Sequence, residues 1–286
     1  MLRSKFQNSF HKNIAQIVSL LSNICYLRRV VRRRGWSRFS NRPKAKLKAA
    51  LCVTCLIDQF YPEVGEAVVK VLRGQGVDVS FPEDQTCCGQ IAFNGGFRND
   101  AADVAQHFMD LFENEEHVVV PSGSCTSMIK IYYQELFKDD PEQLERAKAI
   151  AEKTYEFSDF LVNVVGQSDV GASSYGLITY HDACHLLREL GISKEPRELI
   201  GNVDGVEIQE MHDSDSCCGF GGLFSVKFPD ISAAILEEKI KNIIDSGAGT
   251  LVANDCGCLM QIRGAMQRKN LNVRAVHIAE LLAEGE

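Results

Sequence analysis

Two adjacent cysteine pairs, each followed by glycine, carry the chemistry most visible in the sequence: Cys87-Cys88-Gly89 and Cys217-Cys218-Gly219. Each pair has one cysteine ahead of it, Cys55 or Cys184, and one behind it, Cys125 or Cys258, so that corresponding sulfurs lie about 129–133 residues apart. Four thiolates drawn from three separated points of a chain can surround a compact inorganic core, which is what an iron–sulfur cluster requires. Four thiolates also satisfy tetrahedral zinc, although structural zinc sites usually take two close-spaced pairs, and here one pair is vicinal and the others are single residues. Zinc in one lobe therefore stays open, as does a vicinal disulfide in a thiol-exchange enzyme. A lone cysteine such as Cys25 reads as a small buried hydrophobe. Two matching sets of four do not.

Other groups border these sets. Cys52 and Cys256 are spare donors. In an extended segment Cys256 and Cys258 would point the same way, whereas a helix starting at Asp255 would part them. Asp255 could supply an oxygen ligand or cap that helix, and the cap is favoured. His181 and His185 flank Cys184 and could ligate metal, donate to cluster sulfur or carry a proton, or simply make a structural hydrogen bond at a strand end. Gly219-Phe220-Gly221-Gly222 and Asn94-Gly95-Gly96 lack the surrounding pattern of a phosphate loop, so close backbone approach to a cluster is the simpler role.

The chain has 286 residues, 45% of them hydrophobic and 24% charged, enough for one large core or two smaller ones. No secretory signal opens it, so its 11 cysteines, an odd number, read as thiolates in a reducing, cytoplasmic setting rather than as disulfides. Charge is unevenly spread: residues 1–49 hold 13 Lys and Arg and no acidic residue, while the remainder holds 18 basic and 38 acidic residues. An acidic body excludes nucleic acid as the main partner. Residues 1–46 read as a basic N-terminal extension. Three readings compete for it: a poorly ordered extension or a start assigned too early, a transit-like presequence, and a basic amphipathic helix making peripheral contact with an anionic membrane. No run reaches the ~18 apolar residues of a membrane-spanning helix.

The elements that must position the cysteines alternate between strand and helix. Ala49–Val53, Val77–Phe81 and His117–Val120 read as strands, with helical spacing at Val64, Val68, Val71 and Leu72 and again at Val104, Phe108, Leu111 and Phe112. The order then recurs: Leu177–Tyr180, Val206–Gln209 and Thr250–Ala253 read as strands, each followed by a cysteine. This predicts an α/β protein of two homologous lobes with parallel-sheet character, related by internal duplication and spanning 47–165 and 172–286. In each lobe the sulfurs fall at the carboxyl ends of strands, where open α/β sheets place ligands.

The pattern Cys55, Cys87-Cys88-Gly89, Ser122-x-x-Cys125, repeated as Cys184, Cys217-Cys218-Gly219, Asp255-x-x-Cys258, resembles the cysteine-rich "CCG" domain. Paired CCG domains occur in the cysteine-rich subunit of heterodisulfide reductase, the iron–sulfur subunit of glycolate oxidase and lactate utilisation protein A. The phrases Val53-Thr54-Cys55-Leu56-Ile57-Asp58, Tyr61-Pro62-Glu63-Val64-Gly65, Gln85-Thr86-Cys87-Cys88-Gly89-Gln90, Pro121-Ser122-Gly123-Ser124-Cys125 and Tyr180-His181-Asp182-Ala183-Cys184-His185 are most similar to the lactate utilisation protein A family. That resemblance implies an iron–sulfur electron-transfer subunit of a complex oxidising L-lactate to pyruvate, alongside other subunits that include a ferredoxin-like iron–sulfur protein. Thiol–disulfide and glycolate chemistry are the alternatives among relatives, and a zinc-stabilised scaffold is the non-redox one. Ser122 and Asp255 depart from the family pattern, which has cysteine there. A five-thiolate cluster is therefore not implied, whereas four cysteines per lobe suffice for a [4Fe–4S] cluster in each. Taking a hydride from lactate needs a two-electron acceptor, and no flavin or nicotinamide fingerprint is present. Either the organic step lies on a partner or a cluster with an open coordination position binds substrate.

Overall fold

The computed structural model describes residues 47–285. The proposed N-terminal extension and Cys25 lie outside the described residues. The first half runs β1 (Leu47–Leu51), α1 (Cys55–Phe60), α2 (Pro62–Gly74), β2 (Val77–Ser80), α3 (Gln90–Gly95), α4 (Arg98–Phe112), β3 (Val118–Val120) and α5 (Gly123–Ser127). A π-helical turn (Met128–Tyr132) carries α5 into α6 (Tyr133–Leu136), followed by α7 (Pro141–Lys153), β4 (Thr154–Glu156) and α8 (Phe157–Asp159), the last extended by a second π turn (Phe160–Val165). The second half runs β5 (Ser173–His181), α9 (Cys184–Arg188), α10 (Lys194–Gly201), β6 (Asp204–Ile208), α11 (Leu223–Lys227), α12 (Pro229–Asp245), β7 (Thr250–Ala253), α13 (Cys256–Arg268), β8 (Arg274–His277) and α14 (Ile278–Leu282).

Each half builds a four-stranded sheet, all parallel, in the orders β2-β1-β3-β4 and β6-β5-β7-β8. These are the same order, as duplication predicts. Covered on both faces, the inner strands are continuous apolar runs such as Val118-Val119-Val120, all buried, whereas edge strand β2 alternates buried and exposed. Several boundaries differ from those expected of the sequence. The first strand ends at Leu51, so that Cys52 and Val53 already belong to the loop, and β5 starts earlier and runs longer than its apolar core.

Side-chain alternation along the strands divides the interior into three cores. Ala49, Leu51 and Val119 from one sheet and Ile178, Tyr180, Val252 and Val276 from the other face a central core shared by both lobes. Their neighbours Ala50, Val118 and Val120 face an outer core of the first lobe, and Leu251 and Ala253 an outer core of the second. Helix α2 supplies Val64, Val68, Val71 and Leu72 to the shared core at helical spacing, starting at Pro62, whose missing N–H costs nothing in a first turn. It packs on α14 of the other lobe, as α10 packs on α8. The pairings α5 with α9 and α13 with α1 are likewise equivalent, so the lobes face each other about an approximate two-fold axis. Among the described residues no helix is long and apolar enough to cross a membrane.

Candidate functional site

In both sheets the order of strands reverses direction between the first and third strands, so the loops leaving their carboxyl ends diverge and open a crevice. Cys55 begins α1 after β1 and Cys125 lies in α5 after β3. Cys184 and Cys258 occupy the same places on α9 and α13. The vicinal pair enters from the second strand's loop. Its glycine adopts a left-handed conformation in both lobes, Gly89 at φ 86° and Gly219 at φ 83°, and an added Cβ at Gly219 would meet the Ser232 carbonyl oxygen at 2.5 Å. The turn aims the Gly219 N–H back at Cys217 Sγ, 3.3 Å away.

The sulfurs make one continuous chain of contacts in each lobe. Cys87 accepts from Cys55 and Cys88, and Cys88 Sγ lies 3.3 Å from Cys125 Sγ. Cys217 accepts from Cys184 and Cys218, and Cys218 contacts Cys258. Hydrogen bonds from two thiols hold Cys87 and Cys217 below the ordinary thiol range, against the cost of burial. The donating thiols Cys55, Cys88, Cys184 and Cys218 are pushed up. Within each set a low-lying thiolate thus opposes ionisation of the thiols it touches, an opposition that a multivalent cation among the sulfurs would relieve. All ten described cysteines are free thiols. Soft, half-buried sulfur in apolar surroundings is a donor set that fits an iron–sulfur cluster or zinc.

The remaining candidates separate into those beside the sulfurs and those turned away. Cys52 and His181 occupy equivalent places, each three residues before the first cysteine of its lobe's set. Cys52 is buried with Cys125 and Cys87 as electrostatic neighbours, and burial raises its pKa first of all. A His181 ring nitrogen and the sulfurs of Cys218 and Cys258 lie within 4.8 Å of one another, and neither ring nitrogen has a hydrogen-bond partner among the described residues. His181 thus lies directly against the second set, where its ring helps to lower the Cys258 thiol. His185 does make one: Nδ1 meets Glu189 Oε2 at 2.8 Å, which fixes the ring at the cavity wall. Glu189 also accepts from Tyr132 of the first lobe at 2.6 Å and from Ser127. Burial opposes its ionisation, but these donors and His185 outweigh it and lower its pKa. The bond to Glu189 pushes Tyr132 up to about 12.

Asp255 is the N-cap of α13, its Oδ1 accepting from Gly257 N–H at 2.9 Å. Its Oδ2 accepts from Ser122 Oγ at 3.0 Å, Ser124 N–H at 3.0 Å and Ser124 Oγ at 2.7 Å, all from the other lobe. Ser122 in turn caps α5 through the Cys125 N–H. The two residues standing where further cysteines belong in the pattern thus meet each other across the axis, and the acceptor capacity of Asp255 is taken up. Because α13 starts at Cys256, that residue is parted from Cys258. It lies in the shared central core, and the one sulfur among its main electrostatic neighbours is Cys125 of the opposite lobe.

A contact invisible in the sequence joins the lobes behind this point. Glu156 and His277 sit at equivalent ends of β4 and β8, each capping the helix that follows. Asn254 donates to Glu156 Oε1 and Ser158 Oγ, both at 3.0 Å, and accepts from Tyr180. Burial raises Glu156 to about 7 despite these bonds, and burial lowers His277 to about 4. The two sulfur sets consequently line opposite walls of one cavity of about 170 Å³ between firmly joined lobes.

The cysteine-rich domain family "CCG" matches residues 49–130 and 178–263, one copy on each sheet. The chain is 46% identical over 239 residues to lactate utilization protein A 2 of Bacillus cereus (strain 03BB102), covering 84% of this chain and 99% of that one. It is 47% identical over 236 residues to lactate utilization protein A of Bacillus subtilis (strain 168), covering 82% and 99%. A solved structure, glutamate racemase from Francisella tularensis subsp. tularensis SCHU S4, aligns over 84% of this chain and 79% of that one at 13% identity, with a TM-score of 0.32.

Proposed function

Since the chain belongs to the lactate utilization protein A family of CCG cysteine-rich-domain proteins, we propose that it is the iron–sulfur electron-transfer subunit of a cytoplasmic complex that oxidises L-lactate to pyruvate. The observation that carries the reading is the repeated array of four contacting sulfurs at the switch point of each sheet. Cys55, Cys87, Cys88 and Cys125 would hold one [4Fe–4S] cluster in a lobe spanning 47–165, and Cys184, Cys217, Cys218 and Cys258 a second in a lobe spanning 172–286. Cys52 and His181 border the two sets. Bound there, the clusters supply one-electron storage.

The chain's own contribution is positional. The vicinal pair and its left-handed glycine bring two sulfurs and an amide N–H to one point, and the apolar outer cores keep water from the buried ligand of each pair. The Ser122–Asp255 contact and the Glu189 network hold the two lobes in register, so that the sets keep a fixed separation across the cavity. The hydride or two-electron step falls to a partner in the complex, with a ferredoxin-like iron–sulfur protein as a further carrier.

In the complex assembled from its subunits under anaerobic conditions, L-lactate is expected to reduce clusters of this chain, read by EPR, while glycolate is not. Reduction by glycolate in preference to lactate, or a deletion strain that still grows on L-lactate, overturns the substrate assignment. The single cavity faced by both sulfur sets favours one second reading, cleavage of a disulfide substrate between them. Turnover of a disulfide by this chain with an artificial electron donor would select it. Zinc without labile sulfide would select a non-redox scaffold.

A further inference from the structure

The two sulfur sets match, but the helices behind them do not. In each lobe the side of the Cys-Cys-Gly glycine where a Cβ would stand faces a helix carbonyl, Ala101 for Gly89 and Ser232 for Gly219, and this aligns α4 with α12 and sets Phe108 in the place of Lys239. Phe108 is buried and apolar, stacked on Phe112 at 4.5 Å and edge-on to Tyr133 at 5.8 Å. Lys239 is wholly buried, and Nζ donates to the carbonyl oxygens of Asp213 at 2.7 Å and Ser214 at 3.2 Å, with Met211 Sδ at 3.9 Å. Three acceptors converge on the three N–H bonds of an ammonium, which a neutral amine could not satisfy. The carbonyls belong to the loop that carries Cys217 and Cys218, so the charge is fixed behind the second sulfur set.

We infer that the buried ammonium of Lys239 raises the reduction potential of the second-lobe cluster above that of the first, making the second lobe the electron-accepting end of the pair. The inference rests on the cluster reading proposed above. Reduction adds a negative charge to a cluster, and a nearby fixed cation stabilises that charge in a weakly screened interior. Burial disfavours the ammonium, while Cys218, Cys184 and Cys258, and after them the solvent-exposed Asp215 carboxylate, favour it, which identifies the sulfurs that feel it. Arg188 adds a second cation beside Cys184. The Asp255 carboxylate acts oppositely on Cys258, but its charge is shared among one N–H donor of its own lobe and three donors of the other. Around Cys55 and Cys88 of the first set the main influences are other thiols and burial, with no charged side chain among them. With both clusters bound, one electron would pass from the first-lobe cluster, oxidised by one unit, to the second-lobe cluster held by Cys184, Cys217, Cys218 and Cys258, reduced by one. No bond or proton moves.

An EPR-monitored redox titration of the anaerobically prepared full chain tests this, with each signal assigned by its loss in Cys88→Ser or Cys218→Ser. The second-lobe signal is expected to titrate at the higher potential. Lys239→Met, which keeps the volume and removes the charge, shifts it downward and narrows the gap while the first-lobe signal stays in place; Lys239→Arg keeps the gap. Equal or inverted potentials in the unmodified chain overturn the inference, as does an unmoved second-lobe potential in a Lys239→Met protein holding both clusters. Should that variant not retain its second cluster, the order in the unmodified chain decides. A chain without labile sulfide overturns the cluster reading itself, a result separate from either of these.

Discussion

The first and second lobes present the same sulfurs on the same strand order, yet nearly every neighbour of those sulfurs differs. Cys52 stands where the second lobe has His181, Phe108 where it has Lys239, Ser122 where it has Asp255, and Glu156 where it has His277. The sulfur positions are dictated by sheet topology, because the carboxyl ends of the inner strands open onto the crevice. The surroundings are not so dictated. A duplicated scaffold can therefore hold two like centres in unlike electrostatic settings, and the differences meet at the axis, where a serine of one lobe bonds the carboxylate of the other.

The most severe way to break the equivalence is to remove one ligand from each lobe in turn. Cys88→Ser and Cys218→Ser are each expected to lower the iron content by about half and to leave the opposite lobe's EPR signal, because each set is complete within its lobe. Loss of all iron from either variant would mean that the sets are built jointly. Both variants should fail to pass electrons through the complex.

The contact at the axis comes next. Asp255→Ala strands three donors of the first lobe and uncaps α13, so chemical denaturation should show a loss of about 3 kcal/mol. Ser122→Ala removes one of several bonds and one cap and should cost about 1 kcal/mol. Both should keep their iron. A changed second-lobe EPR signal in Asp255→Asn would instead mark the carboxylate as a ligand.

The smallest effects are slopes of stability against pH, opposite in sign at the equivalent residues Glu156 and His277. Folding raises Glu156 from the ordinary 4.5 to about 7, so its contribution is fully present below about pH 4.5 and is lost as pH rises through about 7. Folding lowers His277 from 6.5 to about 4, so its contribution is present above about pH 6.5 and is lost as pH falls through about 4. Each amounts to about 3 kcal/mol across its window. Denaturation midpoints of Glu156→Gln and His277→Gln, followed from pH 4 to 8, should each lose one slope. Unchanged profiles would show that neither residue titrates with folding.

Much of this was legible in the sequence, because the repeated cysteine spacing and the apolar runs of inner parallel strands are local signals. They located six of the eight strands among the described residues and the cysteines of both sulfur sets. The strands β4 and β8 were missed because Thr154–Glu156 is three residues long and Arg274–His277 is charged at its start. The Ser122–Asp255 bond joins residues 133 apart in the chain, a pairing that only the packing of the lobes creates. Lys239 stands beside Glu237 and Glu238 and carries no sequence signal of burial. Its burial follows from the loop carbonyls that receive it, and no local pattern announces those. His185 was noticed, but its partner Glu189 and the first-lobe Tyr132 behind it were not, since that network too crosses between lobes.

The central claim is that each lobe holds its own cluster on its own four cysteines. Iron and acid-labile sulfide measured on the anaerobically purified chain, and on Cys88→Ser and Cys218→Ser beside it, test it most directly. Two [4Fe–4S] clusters predict about eight iron and about eight sulfide per chain, and about four of each in either variant. Zinc without labile sulfide, or iron that vanishes entirely on removing one ligand, would contradict it.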